Sequence, residues 1–430
     1  MASHAKEEVA TLKLAPIWGK LPLILTVFGL VLGVIAFFMT KMPGTEPNTF
    51  VPDHGKQLAY SYLTAYMFFL SLVMGGLFLV LIHHLFDAHW TVPLRRITEN
   101  LAMLSPVMFL LWLPIVAFAF SSEIKLYPWL ALSPEEAHAD HAVHAKYPLF
   151  TKPGWVIMIT VCFAIWTFLA WKFRSNTTGQ DKDGSSKWTF SNRFHAGYGI
   201  FLFAFSGTFL CFMLMKSLMH QFFSTMYGVF YFAGSVWLTY GTLFIITMLL
   251  QRTGPLKAVV TKTTFHDIGK MFFAFTVFYA YITFSQYFLI WNANMPEETF
   301  WFVRREAGSW RWVGILMIFG HFFVPFLVML RQDAKRSIAV IGPVVALAWV
   351  IHYMDMQFNI MPVLHTKGFV LHYGDIGCMA FIGGILSMAW LKLFKANPPY
   401  PQKDPRMAEC LGVYVPPAKG SMAAAHLGIK

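Results

Sequence analysis

Ten apolar runs divide the sequence, each close to the length one helix needs to cross a hydrocarbon layer. A core of about 30 Å takes about 20 apolar residues as α-helix. The runs cover residues 21–40, 58–81, 101–120, 155–171, 194–216, 226–250, 265–291, 312–330, 337–352 and 369–391. Of the 430 residues, 57% are apolar and only 13% charged; soluble domains carry about 25% charged residues. That leaves too little polar surface to cover the chain in water. A soluble enzyme, a disordered regulator and a fibrous protein are excluded, and lipid is the expected solvent. The expected class is an all-α integral membrane protein. The first run is too long for the apolar core of a signal peptide, and no small-residue cleavage pattern follows it, so it counts as a span.

Orientation follows from the basic residues. Of 33 Lys and Arg, 22 fall in the segments on one side of the spans and 10 on the other. The richer side is expected to be cytoplasmic, which puts both termini inside. The net charge of +12 thereby reads as a topology signal at span edges, with no nucleic-acid partner. The longest outer segment, 121–153, carries Glu123, Glu135, Glu136 and Asp140, and 172–193 reads as a polar inner linker between spans 4 and 5.

A repeat is visible. Gly76-Leu77-Phe78-Leu79-Val80 followed by Pro93-Leu94-Arg95 matches Gly241-Thr242-Leu243-Phe244-Ile245 followed by Pro255-Leu256-Lys257, and Trp155-Val156 matches Trp312-Val313. The copies lie four spans apart and so face the same way. This predicts two parallel four-helix bundles, spans 2–5 over 58–220 and spans 6–9 over 221–358. They are flanked by a first helix with its outer loop (21–57) and a tenth helix (359–395), with inner segments at 1–20 and 396–430.

Ionisable groups inside a bilayer are expensive, so each is a functional candidate. His266, Asp267 and Lys270 open span 7, with Asp267 and Lys270 on one face, and Glu99 lies at the corresponding mouth of span 3. His321 falls about 15 Å into span 8, near mid-depth. Tyr240, Tyr279 and Tyr281 offer hydroxyls at middle depths. The outer ends of spans 9 and 10 carry the related strings His352-Tyr353-Met354-Asp355 and His372-Tyr373-Gly374-Asp375. Asp375 suits a helix N-terminus, whereas Asp355, read at a helix C-terminus, needs a cationic or donor partner, with Lys216 and His220 as candidates. The expected proton-route residues are Glu99, His266, Asp267, Lys270, Tyr279, His321, His352 and Asp355. The expected outer quinol contacts are Lys216, His220, His372 and Asp375.

No redox centre or metal is expected in this chain. The cysteines Cys162, Cys211, Cys378 and Cys410 form no C-x-x-C pair. His352 and His372 are single histidines near the surface, unlike the paired ligands of a b-type haem. The spacing of His138, His141 and His144 wanders around a helix and suits a solvated or partner-facing segment better than zinc.

Ten spans, doubled bundles and no metal motif resemble the NrfD-like family, the polysulfide-reductase membrane subunits. The long outer insert 121–153, the run Phe265-His266-Asp267-Ile268-Gly269-Lys270 and the string Trp291-Asn292-Ala293-Asn294-Met295-Pro296-Glu297-Glu298 are most similar to the F subunits of bacterial alternative complex III. The resemblance covers about residues 20–395. It implies the bacterial cytoplasmic membrane, a second NrfD-like membrane subunit, an iron-sulfur subunit, multihaem cytochromes c and sometimes a terminal oxidase as partners. It also implies quinol or menaquinol as the substrate of the whole complex, oxidised chiefly beside the second subunit. The expected role is a scaffold with a transmembrane proton route. The alternatives are a quinol site of its own at the outer cluster, or a secondary transporter. The transporter is weakened by the lack of Gly/Pro-broken helices at matching positions.

Overall fold

The computed structural model describes residues 16–43, 50–53 and 55–413. The expected inner segment before residue 16 and the tail after 413 lie outside the described residues. Ten helices are long and apolar enough to cross a bilayer: α1 (Gly19–Met39), α2 (Lys56–Leu85), α3 (His89–Phe120), α4 (Lys152–Asp183), α5 (Lys187–Leu214), α6 (Tyr227–Arg252), α7 (Lys262–Ala293), α8 (Trp310–Met329), α9 (Ile338–Val363) and α10 (Tyr373–Lys395). A multi-pass membrane protein is what such a set describes. The sole strand pairing among the described residues is a short antiparallel pair, β1 (Lys41–Pro43) with β2 (Phe50–Pro52), after α1.

The helices run back and forth between a proximal end, where α1 begins and α10 finishes, and a distal end. Contacts fix the two ends. At the proximal end Asp87 after α2 pairs with Arg193 of α5. At the distal end Thr40 after α1 meets His372 before α10, 3.3 Å apart. Two helices form the centre: α2 is buried along almost its whole length and α6 nearly so. The other helices turn apolar side chains such as Phe201, Phe205, Phe284 and Leu327 outward, as lipid-facing walls do. Gly75 lets α2 and α6 touch, since a Cβ there would lie 2.1 Å from the Thr239 hydroxyl. Helix α1 packs along α10 through Gly29, Gly377 and Gly384. Small residues let backbones approach closely where lipid gives no hydrophobic drive.

Three expectations change. The segment 172–193 is not a linker: α4 continues to Asp183 and α5 starts at Lys187. The turn between them is closed by Gly184, whose φ of 69° suits a residue without a Cβ. The polar composition there belongs to helix that outruns the apolar core. Span 3 begins earlier than expected, at His89, through a 3₁₀ turn and a short helix before Pro106. Span 9 runs on to Val363, so Asp355 is not at a helix C-terminus. It lies eight residues inside, and its neighbours are set by the body of the helix.

Candidate functional site

A cluster of buried ionisable groups lies midway along α6–α9. Four positions on three helices converge. His321 lies near the middle of α8, where the helix widens into a π-turn over Ile318–Phe323. His352 and Asp355, three residues apart on α9, share a face, and Tyr279 arrives from α7. A π-turn inserts one extra residue into the helical ladder and often marks a functional site; here it turns His321 inward, 2% exposed. The imidazole is sandwiched between Tyr279 (ring centroids 4.0 Å, nearly parallel) and Trp237 of α6 (4.2 Å). Gly320 brings α8 onto α9 so closely that a Cβ would lie 2.4 Å from Ile351.

His321 Nε2 and Asp355 Oδ2 are 4.0 Å apart, beyond hydrogen-bond range. Asp355 instead accepts from Asn359 Nδ2 at 3.0 Å and from the Tyr279 hydroxyl. The Tyr227 hydroxyl donates to Asn359 Oδ1 at 2.8 Å and extends the chain towards the distal end. A cavity of about 50 Å³ lies beside Asp355, lined by Tyr227, Tyr279, Thr283, Gln286 and Asn359 among others. His352 Nε2 lies 3.1 Å from Ser71 Oγ of α2. Both ring nitrogens of His321 and Nδ1 of His352 are buried without a protein partner. A buried polar atom left unpaired costs about 1–3 kcal/mol, which makes this cluster poor as structural filler.

One ligand atom from each of His321, His352 and Asp355 lies within 4.8 Å of the others. Zinc bonded at about 2.0–2.1 Å would draw tetrahedral ligand atoms to about 3.4 Å from one another. The 4.0 Å separation of His321 and Asp355 is wider than that, so the set does not fit a metal as it stands.

The other expected residues divide among three further places. Lys270 and Asp267 pair at 2.7 Å at the proximal end of α7, with the lysine half-exposed, and His266 is near enough to feel both charges. Twelve residues of α7, about 18 Å of helix, separate Asp267 from Tyr279. Among the described residues no hydrogen-bond chain spans that interval. Glu99 is fully buried on α3, where its Oε2 accepts from Arg96 at 3.0 Å, Arg174 at 2.9 Å and Thr177 at 3.1 Å. Around it Arg96 also pairs with Asp181, Arg95 with Asp404, and Arg406 with Asp87. Beneath them His83 and His84 are buried without hydrogen-bond partners, His84 stacked on Phe173. Tyr281 faces outward, and Tyr240 is buried away from the cluster against Phe275.

At the distal end the expected quinol contacts fall into two pairs, with no hydrogen bond or ion pair joining them among the described residues. His220 meets Asp140 at 2.9 Å, and Lys146 donates to the His220 carbonyl. Lys216 lies over the Phe212 ring. Burial, with Lys216 nearby, pushes Lys146 down to about 8. Neither Lys216 nor His220 is the partner of Asp355; Asn359 and Tyr279 hold that place, because Asp355 lies inside the helix and not at its end. His372 and Asp375 cap α10 together: Asp375 accepts from the His372 backbone N–H at 2.9 Å, and His372 Nδ1 accepts from Gly374 at 3.0 Å. Next to this cap, an apolar groove of about 280 Å³ runs along Gly33, Phe37, Leu58, Tyr62, Pro114 and Cys378. In the insert 121–153, the rings of His138 and His144 lie 4.5 Å apart.

Sequence reasoning missed Ser71, Tyr227, Trp237 and Asn359. Asn359 was within reach, since Asp355 and Asn359 are four apart on one helix. Ser71 gave no signal, because it comes from a helix nearly three hundred residues away. No known protein family matches the chain, and none of the curated proteins matches it.

Proposed function

We propose that the chain is a membrane subunit of a bacterial respiratory quinol:cytochrome c or quinol:oxidase complex, a scaffold that carries a proton route and no redox centre. In this reading spans 2–5 and 6–9 form two parallel bundles flanked by α1 and α10. The proximal end faces the cytoplasm, and partners bring the iron-sulfur cluster, the haems and a second NrfD-like subunit. The supporting observation is the mid-depth cluster of His321, His352, Asp355 and Tyr279, with three ring nitrogens unpaired. Groups that change protonation are kept in a bilayer despite their cost where they pass protons. Asp267 and Lys270 would serve as the uptake end, and Asn359 with Tyr227 as the release end. Water bridges the intervals that side chains do not.

The test is proton translocation by the reconstituted, assembled complex. His321→Leu and Asp267→Asn are each expected to lower the proton-to-electron ratio while quinol binding and copurification with haem-bearing subunits persist. Unchanged ratios in both variants would reduce these residues to structural partners, and purification without any haem-bearing subunit would favour a transporter.

A second reading has its own observation. The cap of His372 and Asp375 lies above the apolar groove along α1, α2, α3 and α10. A polar head site over an apolar channel suits a quinol with its isoprenoid tail. Photolabelling by a quinone azide at Tyr62 or Cys378, lost on competition with quinol, would support it.

A further inference from the structure

The hydrogen bonds around Ser71 decide how the cluster is protonated. The Ser71 hydroxyl donates to the Phe68 carbonyl at 2.6 Å. A hydroxyl has one hydrogen, so towards His352 Nε2, 3.1 Å away, Ser71 acts only as acceptor. Nε2 therefore carries the proton. In a neutral imidazole the other nitrogen is then a bare lone pair. That atom, Nδ1, lies on the ring edge facing Gly234 and Tyr279: a Cβ on Gly234 would be 3.4 Å from it and 3.2 Å from Tyr279 Cε2. No protein donor reaches it.

Distances then select the ligand. One ligand atom from each of His321, His352 and Asp355 lies within 4.8 Å of the others, with 4.0 Å between His321 and Asp355. Together they leave a point on the order of 2.7 Å from each, the length of an ordinary hydrogen bond. A transition metal needs about 2.0–2.2 Å. We propose that His321, His352 and Asp355 bind one water molecule, and that Ser71 orients it by locking His352 with its proton on Nε2. The water donates to His352 Nδ1 and to Asp355, and receives from His321. In the hop this permits, a protonated His321 gives its N–H proton to the water, and the water gives one to the Asp355 carboxylate. His321 ends neutral, Asp355 ends as the acid, and the water is regenerated with no electron moved. Ser71 is thus a positioning residue contributed by α2 to a site on α7–α9.

The proposal deepens the proton-route reading, but its test is read without proton transport, so the two fail separately. Full-length protein with ¹⁵N-labelled histidine, reconstituted in lipid, is measured by solid-state NMR alongside a high-resolution cryo-EM map. The expected result is His352 in the single Nε2–H form and a density peak about 2.7–3.0 Å from all three residues. Ser71→Ala is expected to turn the single tautomer into a mixture, and Ser71→Thr to restore it. Protonation at Nδ1 in the unmodified protein overturns the proposal. So does a peak at metal distance, or a direct His321–Asp355 hydrogen bond with no peak between them. A single Nε2–H form that survives Ser71→Ala removes Ser71 from it.

Discussion

The proximal end around α2–α5 and the middle of α6–α9 both bury charged or ionisable groups, and they differ in how far those groups are paired with counter-charges. Around Glu99 most charges find a counter-charge: two arginines and a threonine donate to a single carboxylate oxygen, Asp181 also pairs with Arg96, and Asp404 and Asp87 hold Arg95 and Arg406. Around His321 the ring nitrogens are left without protein partners. The interior of α3–α5, from the distal end to mid-depth, is filled instead by Trp112, Trp155, Phe163, Trp166 and Phe203 in ring contact. What differs is the pairing of charge. Glu99 Oε1, Arg95 Nε, His83 and His84 also lack hydrogen-bond partners, yet ion pairs hold the charges there in place. No ion pair within hydrogen-bond range fixes His321, which leaves room for a ligand or a moving proton. Glu99, grouped with the proton candidates on sequence, has the surroundings of a structural keystone.

The sharpest way to break this contrast is to compare substitutions at the two places. Glu99→Leu leaves Arg96 and Arg174 buried without their shared acceptor, and removing one partner of a buried ion pair costs about 3–5 kcal/mol. Thermal unfolding in detergent is expected to show it as the largest loss of the series. Asp404→Ala strips Arg95 of its carboxylate and is expected to cost about 1–3 kcal/mol by the same assay. His321→Leu replaces unpaired polar atoms with an apolar side chain and is expected to leave the unfolding midpoint unchanged or slightly raised. A large loss there would mean that the histidine is structural. Asp267→Asn breaks a pair whose lysine is half-exposed, so under about 1 kcal/mol is expected.

The helices were legible because a bilayer imposes a length that composition records directly. The span ends were less so. Residues 172–193 look like a linker because nothing in polar composition separates a loop from a helix that has left the apolar layer. Asp355 was misplaced for the same reason: the apolar run fades near His352, but the helix continues because its buried face now carries Asp355 and Asn359. The pairing of His321 with the H-Y-x-D string of α9 depended on a π-turn and on which helices neighbour one another, and neither has a period to read. Lys146 was equally opaque, since its surroundings come from His220 and Phe223, distant in sequence.

Lys146 gives the smallest and most local test. With its amine pushed down to about 8, it is neutral at a pH where ordinary lysines, near 10.4, are charged. Acylation of intact protein at about pH 8.5, followed by peptide mass spectrometry, should modify it faster than Lys125 of the same insert. The native group binds its proton less readily than the unfolded one. Its contribution to stability therefore rises as pH climbs from about 8 toward 10.5 and is least below that window.

The tie between Arg95 and Asp404 spans 309 residues of chain. At a synthesis rate of 5–20 residues per second, roughly 15–60 seconds separate the two residues on the ribosome. During that interval Arg95 and Arg96, in the first turns of α3, are without Asp404 and Arg406, while seven further helices are threaded in. The proximal end is thus fastened late, by chain that emerges after all ten helices, and a protein halted before residue 404 would hold its spans but lack the clasp.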